Sequence, residues 1–273
     1  MIGQTIGMTK SRKAYPTDLN DTEWECIRQY LEKDYVTGRP RKYDWREIMN
    51  AIFYIVRNGC TWRALPHDLP PWQAVYYYFR VLLENDLWEQ LNQVIREAVR
   101  VKEGRDPKAS AMIVDSQSAK SSEGGEACGY DGGKHVRGRK RNLVVDTLGL
   151  VVLAKVTGAN MQDVHAGKKV FEELTKRPDL LERLEKIYAD GGYRGELVDW
   201  VPINLDAVLE IVLKLEGQKG FQVLPKRWVV ERTFGWISRN RRLARDYERL
   251  VVSCEAFIYA AMIRLGLRRL AAG

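Results

Sequence analysis

The spacing of apolar residues changes near residue 100, and this change constrains the fold more than any other feature of the sequence. Between residues 18 and 100, apolar residues recur every three or four positions, which is the repeat of amphipathic helices. From residue 112 onward, short apolar runs are bounded by Gly, Ser or Asp, which is typical of buried strands. The sequence therefore predicts a helical segment followed by a domain that contains a sheet.

Four helices are expected in the first segment. Their apolar positions are Trp24, Ile27 and Leu31; Trp45, Ile48, Met49, Ile52 and Ile55; Val75, Tyr78, Phe79 and Leu82; and Leu87, Leu91, Val94, Ile95 and Ala98. Asn20 is followed three residues later by Glu23, as in a capping box at a helix start. Because short helices are joined through residues 59–63, helix-turn-helix DNA binding is one hypothesis for this segment.

The second segment alternates strands and helices. Strands are predicted at residues 112–115, 143–146, 150–156, 187–190 and 208–213, and helices at 163–176, 195–201, around Glu231 and at 254–270. This order favours an α/β domain with a mixed sheet. The charged, Pro-containing residues 101–110 look like a linker, so we expect a helical DNA-binding domain at 1–104 and a catalytic domain at 105–273.

The chain is basic. Its 44 Lys and Arg residues exceed the 36 Asp and Glu residues, which gives a net charge of +8 and favours a polyanionic partner such as nucleic acid. Simple solubility explains the same excess equally well from charge alone.

Several classes of protein are disfavoured by what the sequence does not contain. Its cysteines and histidines are scattered, without the pairing of a disulfide framework or a zinc site, so reduced thiols are expected. No apolar stretch approaches the roughly 18 residues that a membrane span needs, and residues 1–13 do not resemble a secretory signal. We therefore expect a cytoplasmic protein with no membrane partner.

Three acidic residues have settings that suggest chemistry. Asp115 and Asp190 each end a short apolar run, and Glu231 lies in a helical pattern. Carboxylates at strand ends that face a third one on a helix can hold Mg²⁺ for reactions of phosphates. Alternatively, each aspartate is a turn residue or helix cap, and Glu231 is one partner of a surface ion pair.

Basic residues accompany these acids. The glycine-rich stretch before the second strand carries Lys134, Arg137, Arg139, Lys140 and Arg141. It is either a mobile loop that moulds to a phosphate backbone or a solvated connection.

The segment around Glu231 adds further candidates for DNA contact: Trp228, Arg232, Arg239 and Arg242. Helical phase places Arg227, Trp228 and Arg242 on the face of Glu231, and Val230, Phe234 and Ile237 on a buried face. Trp228 and Trp236 either stack on a flipped base or pack in the core.

Three motifs carry a resemblance to a known family. Val-Asp-Ser-Gln-Ser at 114–118, Ala-Asp-Gly-Gly-Tyr at 189–193 and Arg-Trp-Val-Val-Glu-Arg-Thr-Phe-Gly-Trp at 227–236 resemble bacterial DDE transposases of the insertion sequence 5 family. The resemblance implies a ribonuclease-H-like fold in which Asp115, Asp190 and Glu231 are the catalytic acids. Where that family often has Lys or Arg seven residues after the Glu, this chain has Ser238, followed by Arg239.

The same resemblance implies a reaction. Two Mg²⁺ ions, for which Mn²⁺ can substitute, would be held by Asp115 as the bridging ligand and by Asp190 and Glu231 at one ion each. Water would first release a 3′-OH at an element end, and that hydroxyl would then attack target DNA. The implied partners are terminal inverted repeats and target DNA, bound by a homodimer on paired ends that is associated with the nucleoid.

Two other functions remain open at this point. The chain is also compatible with a DNA-binding regulator that has an inactive nuclease core. A ribonuclease-H-like nuclease for structured nucleic acids is the second alternative. The intact acids argue against the regulator, and a separate helical reading domain argues against the general nuclease.

Overall fold

The computed structural model describes residues 12–32, 42–122, 124–213 and 226–272. Its first part is helical, with α1 (Asp21–Leu31), α2 (Trp45–Asn58), α3 (Trp72–Glu84) and α4 (Leu87–Lys102). These are the four helices that the apolar spacing predicts. The capping box is also confirmed, because the Asn20 side chain accepts the Glu23 backbone N–H and the Glu23 carboxylate accepts that of Asn20.

The second part contains a six-stranded mixed sheet. Its strands are β1 (Ala111–Lys120), β2 (Gly129–Asp131), β3 (Val136–Asp146), β4 (Val151–Gly158), β5 (Lys186–Ala189) and β6 (Val208–Ile211). β3 pairs antiparallel with β1 on one edge and with β2 and β4 on the other, while β1, β5 and β6 are parallel. Antiparallel strands followed by shorter parallel ones form the ribonuclease-H-like arrangement that the motifs imply, so the predicted fold class is confirmed.

Five helices complete the described structure: α5 (Asp163–Thr175), α6 (Pro178–Leu181), α7 (Glu196–Leu205), α8 (Arg227–Ser238) and α9 (Val251–Ala271). No helix within the described ranges is both long enough and apolar enough to cross a lipid bilayer. The predicted buried face of α8 is confirmed at Val230, Phe234 and Ile237.

Two hydrophobic cores cover the two faces of the sheet, and β1 contributes to both. Met112 and Val114 belong to the core beneath α5 and α7, whereas Ile113 belongs to the core that also contains the buried face of α8. Side chains alternate along a strand, so Asp115 lies on the same face as Ile113. Asp115 therefore faces the helix that carries Glu231.

Helix α9 belongs to the same core as the helical segment. Its buried residues include Phe257, Ile258 and Met262, and they share one cluster with residues of α1, α2 and α4 and with residues of β3 and β4. A helix that follows the sheet in sequence thus packs on helices that precede it. The division at residues 104 and 105 stays a prediction.

The structure corrects three sequence predictions about local elements. Residues 136–141 are not a mobile loop, because they form the first half of β3; residues 136 and 137 pair with β2, and residues 138–141 are paired on both edges. Asp115 lies within β1 rather than at its end. α8 ends at Ser238, so Arg242, which follows in a short 3-10 turn, does not share the helix face of Glu231.

A buried arginine ties β3 to the chain that precedes α9. The Arg139 side chain is 1% exposed, and its Nη1 lies 3.0 Å from Oδ2 of the fully buried Asp246. The same guanidinium donates to the carbonyl oxygens of Glu126, Glu248 and Arg249. A buried charge pair of this kind is costly to break, because the partner left behind is a charge without solvent.

We expect Arg139→Met to lower the free energy of unfolding by about 3–5 kcal/mol, since Asp246 then remains buried and unpaired. Urea denaturation measures the change, with Arg137→Met, an exposed neighbour on the same strand, as the control. Combining Arg139→Met with Asp246→Leu should recover part of the loss. A loss below roughly 1 kcal/mol for Arg139→Met would show that the pair does not hold this segment.

Glu255 is a buried ionisable group at the contact between α9 and β4. Its carboxylate accepts the Val156 N–H at 2.8 Å and lies 3.7 Å from Lys155 Nζ. Burial nevertheless raises the pKa of Glu255 to about 7. In the unfolded chain the pKa of Glu255 has its ordinary, lower value. Between that value and about 7, the unfolded chain loses the Glu255 proton while the folded chain keeps it, so the free energy of unfolding falls as pH rises.

We expect Glu255→Gln to stabilise the protein above pH 7, by up to about 3 kcal/mol, because the amide needs no ionisation. The gain should disappear below roughly pH 4, where the carboxyl group is protonated in both states. Unfolding curves from acidic to alkaline pH test this, with the exposed Glu185→Gln as control. A gain that does not change with pH would contradict the assignment.

Candidate active site

The two aspartates are brought together by parallel strand pairing. β1 and β5 are adjacent, with Ile113 opposite Tyr188. Asp115 and Asp190 each lie two residues further along, so they are level with each other at the same end of the two strands. Asp190 follows β5 directly, as predicted, and its Oδ1 accepts the Gly192 N–H at 2.8 Å.

The third acid comes from α8, which packs against β1. The Nη2 atom of Arg227 lies 3.9 Å from Asp115 Oδ2, 3.5 Å from Asp190 Oδ2 and 4.0 Å from Glu231 Oε1. Arg227 is one helical turn before Glu231. Three carboxylates from three elements thus surround one cationic nitrogen.

The electrostatics of Asp115 explain why a cation belongs there. Its side chain is 16% exposed, and burial raises its pKa to about 6. The Ser116 N–H, which donates to Oδ1 at 2.7 Å, opposes this increase, while the negative charge of Asp190 adds to it. A site with these charges is stabilised by a positive group, which Arg227 supplies here.

The donor set suits a divalent ion of the Mg²⁺ type, because all three groups offer carboxylate oxygens. Within the described ranges, however, no three His, Cys, Asp or Glu side chains are close enough together to hold a metal ion. Arg227 lies among the carboxylates and makes ion-pair contacts at distances longer than metal coordination. An ion would therefore need Arg227 to withdraw and the carboxylates to close in.

A polar network supports the centre from the opposite face of β1, and the sequence analysis did not identify it. Asp163, the first residue of α5, accepts Ser116 Oγ at 2.8 Å and Lys140 Nζ at 2.9 Å. Gly192 lies between Asp190 and Asp163, because a Cβ at this position would be 3.0 Å from Asp190 Oδ1 and 3.1 Å from Asp163 Oδ2. The sequence does place Asp163 at a predicted helix start. Its partners Ser116 and Lys140 are distant in sequence, so the sequence does not show the network.

Four of the predicted DNA-contacting residues are interior, and two of them are arginines of β3. Arg139 is bound to Asp246 as described above. Arg141 is 1% exposed and donates to the carbonyl oxygens of Leu243 and Arg245. Both guanidiniums are buried and hydrogen-bonded within the protein, so the prediction that they contact DNA is wrong.

The other two are Lys140 and Arg242. Lys140 is buried and donates to Asp163 and to the Met161 carbonyl oxygen. Arg242 is buried and pairs with Glu248 at 2.6 Å. Both side chains form ion pairs within the fold, so the prediction that they contact DNA is wrong as well.

The remaining predicted contacts lie at or near the surface. Lys134, Arg137 and Arg239 are exposed, and Trp228 is 41% exposed. Arg232 is half-buried, donates to the Leu148 carbonyl oxygen and stacks on Trp228 with 4.5 Å between its Cζ and the ring centroid. Their roles in DNA binding stay predictions.

An alternating stack of rings and guanidiniums runs along α8 beside Glu231. Arg232 also lies over Trp236, at 4.7 Å from the ring centroid, and Arg269 of α9 lies over the same ring at 4.6 Å. Trp236 is thus held by two cations and is packed against the core. Trp228, which lies one turn before Arg232, has a more exposed ring and is the better placed of the two for stacking on a base.

We expect Arg227→Gln to lower the melting temperature in EDTA by about 2–4 °C, since the carboxylates then repel each other without a shared cation. Added Mn²⁺ should raise the melting temperature of this variant more than that of the wild type, because no guanidinium competes with the ion. Thermal melts over a MnCl₂ series measure both effects. Arg194→Gln is the control, and identical behaviour of all three proteins would contradict this role of Arg227.

Comparison with protein families gives two matches. Residues 106–265 match the family model described as "Transposase DDE domain". Residues 19–110 match the one described as "Putative transposase of IS4/5 family (DUF4096)". The two matches together cover the helical segment, the sheet and all three acids.

Individual relatives are similar over parts of the chain. The "Putative transposase for insertion sequence element IS402" of Burkholderia cepacia is 31% identical over 133 residues, which are 47% of this chain and 60% of that protein. The "Uncharacterized protein y4sN" of Sinorhizobium fredii is 32% identical over 81 residues, 29% of this chain and 65% of that protein. Both similarities span less than two thirds of the relative's own length.

A chain of the structure named "Crystal structure of a pre-cleavage Mos1 transpososome" is 11% identical, with 88% of this chain and 80% of that chain covered and a TM-score of 0.29. A TM-score this low carries no argument about fold or function.

Proposed function

Because the chain belongs to the Transposase DDE domain family, whose model matches more than half of its length, we propose that it is a DNA transposase. It would cleave DNA at the ends of an insertion sequence and join the released 3′-OH to target DNA. The single observation that carries this proposal is the convergence of Asp115, Asp190 and Glu231 on one cationic centre. The three proposed acids thus surround one cationic nitrogen although they are far apart in sequence.

In this proposal the three carboxylates hold Mg²⁺, or Mn²⁺ in its place. Bound divalent ions would stabilise the negative charge that develops on the attacking and leaving oxygens at phosphorus. Asp115 lies on β1, which pairs with β5 and contacts α8, and this supports its predicted role as the shared ligand. Asp190 and Glu231 would complete the ligand set, one from each side.

The chain's own residues prepare this centre. The Ser116 N–H donates to one carboxylate oxygen of Asp115, and the other oxygen lies toward Arg227. The Gly192 N–H does the same for Asp190. Glu231 is 48% exposed, so it can adjust its position as a substrate approaches. Arg227 offsets part of the negative charge of the three acids until a metal ion replaces it, and it would then be free to contact a DNA phosphate.

Partners follow from the same reaction. The substrates would be double-stranded DNA carrying terminal inverted repeats and then a target DNA. Transposition joins two ends of one element, which supports a homodimer that holds both. We place the protein in the bacterial cytoplasm, where it would associate with the nucleoid.

We expect the purified protein to nick labelled DNA that carries the segments flanking its own gene, at the element boundary and only with Mg²⁺ or Mn²⁺. Asp190→Asn should reduce the rate at least about 100-fold, because one ligand carboxylate is lost. Asp199→Asn, which removes an exposed carboxylate on α7, is the matched control and should cleave at the wild-type rate. Sequencing gels locate the nick, and EDTA should abolish it.

Other outcomes would redirect the assignment. Specific binding to the end fragments without cleavage, in the presence of metal, would favour a DNA-binding regulator with an inactive core. Cleavage of the RNA strand of a hybrid, with no cleavage of the DNA ends, would favour a ribonuclease-H-like nuclease. Equal cleavage by wild type and Asp190→Asn would remove the carboxylate centre from the mechanism.

A further inference from the structure

A basic cleft of about 210 Å³ lies where α2, the end of α8 and α9 meet, away from the carboxylate centre. Four arginines line it: Arg57 from α2, Arg239 after α8, and Arg264 and Arg268 from α9. The helical segment and the later part of the chain both contribute, so the cleft exists only in the folded molecule.

The positive charge of the cleft is largely uncompensated. Arg264 pairs with Glu23. Arg57, Arg239 and Arg268 form no ion pair with any carboxylate of the described residues. Burial and the neighbouring Arg264 lower the pKa of Arg268, and the negative charge of Glu23 only partly opposes them.

These guanidiniums are held in place by neutral partners. Arg57 Nη1 donates to the Arg239 carbonyl oxygen at 2.6 Å, and Arg268 Nη2 donates to that of Pro16 at 3.0 Å. A carbonyl oxygen orients a guanidinium without cancelling its charge, and each guanidinium has further N–H groups to offer. Arg57 and Arg268 are therefore oriented before any anion arrives.

An unpartnered hydroxyl also lines the cleft. Thr17 is 6% exposed, and its Oγ1 has no hydrogen-bond partner among the described residues. A buried hydroxyl without a partner destabilises a fold, so its presence calls for an explanation. Because this oxygen has almost no exposed surface, an anion in the cleft would accept its hydrogen bond after a small shift of the surrounding side chains.

We infer that this cleft binds a backbone phosphate of DNA at a distance from the reacting phosphate. The inference rests on the proposed function, and it adds a binding site that the catalytic acids do not include. Guanidiniums and hydroxyls are the usual donors to a phosphate diester. Trp236 forms part of the same wall, which joins the cleft to the ring and guanidinium stack on α8.

The position of the cleft suits a continuous DNA duplex. Arg239 follows Glu231 by eight residues, which corresponds to about 12 Å along a helix. One strand of a duplex advances by about 3.4 Å per nucleotide, so the cleft is roughly three to four nucleotides from the acids. A duplex that reaches the carboxylates along α8 can therefore place another phosphate in the cleft.

The test compares two double variants that lose the same charge. Arg57→Gln/Arg268→Gln removes two cleft guanidiniums, whereas Arg28→Gln/Arg183→Gln removes two exposed guanidiniums that are paired with carboxylates elsewhere. Binding to a labelled 30-base-pair duplex is measured by fluorescence anisotropy in EDTA, so that cleavage does not interfere, over a series of KCl concentrations. The cleft variant should bind at least about tenfold more weakly at low salt, and the slope of log K against log[KCl] should become less negative by about 0.9 per lost phosphate contact. The control should match the wild type.

A third variant separates DNA binding from folding. Thr17→Val removes the hydroxyl and keeps every charge. It should leave the melting temperature unchanged or raise it, because an unsatisfied buried hydroxyl is lost, and yet weaken DNA binding by about tenfold. A purely structural role for Thr17 would leave DNA affinity unchanged.

The outcomes distinguish this inference from the proposed function. If the wild type binds DNA and both cleft variants bind it equally well, the cleft assignment fails and the proposed function stands. If the wild type binds no DNA at all, both fail. If inorganic phosphate raises the melting temperature of the wild type while the cleft variants bind DNA normally, the cleft is a site for free anions and the DNA assignment is overturned.

Discussion

The arrangement of the three acids depends on β1, the strand that pairs with β3 on one edge and with β5 on the other. Its parallel register with β5 sets Asp115 level with Asp190, and its side-chain alternation directs Asp115 toward α8. The antiparallel pairing with β3 extends β1 well past Asp115, so this acid is held within a paired strand rather than at a frayed end. Asp115 thus has a fixed position, and the other two acids approach it from the end of β5 and from α8.

Burial and the neighbouring charge of Asp190 make a cation favourable at the centre. Asp115 is mostly buried, so its ionised form is costly until a positive group approaches. Arg227 fills that role, and it comes from the same helix as Glu231. The helix therefore carries both one of the acids and the guanidinium that offsets part of their negative charge.

The basic residues of the chain serve two different purposes. Arg139, Arg141, Lys140 and Arg242 lie inside the molecule and hold β3, α5 and the segment before α9 through carbonyl oxygens and carboxylates. Arg57, Arg239 and Arg268 keep their charge available at a cleft. The net charge of +8 does not distinguish the two groups, because a buried arginine and an exposed one count equally in composition.

The sequence by itself determined most of the helices and strands and singled out Asp115, Asp190 and Glu231 as candidate acids. Apolar periodicity is a local property, so it located α1 to α4 and the buried face of α8 and separated the helical segment from the sheet. The motifs around Asp115, Asp190 and Glu231 are local as well. Only the tertiary structure decided which cations are interior, that Asp163 supports the centre, and that Arg227 lies among the acids. Each of these depends on residues that are far apart in the chain and adjacent in space, and strand pairing and helix packing bring them together.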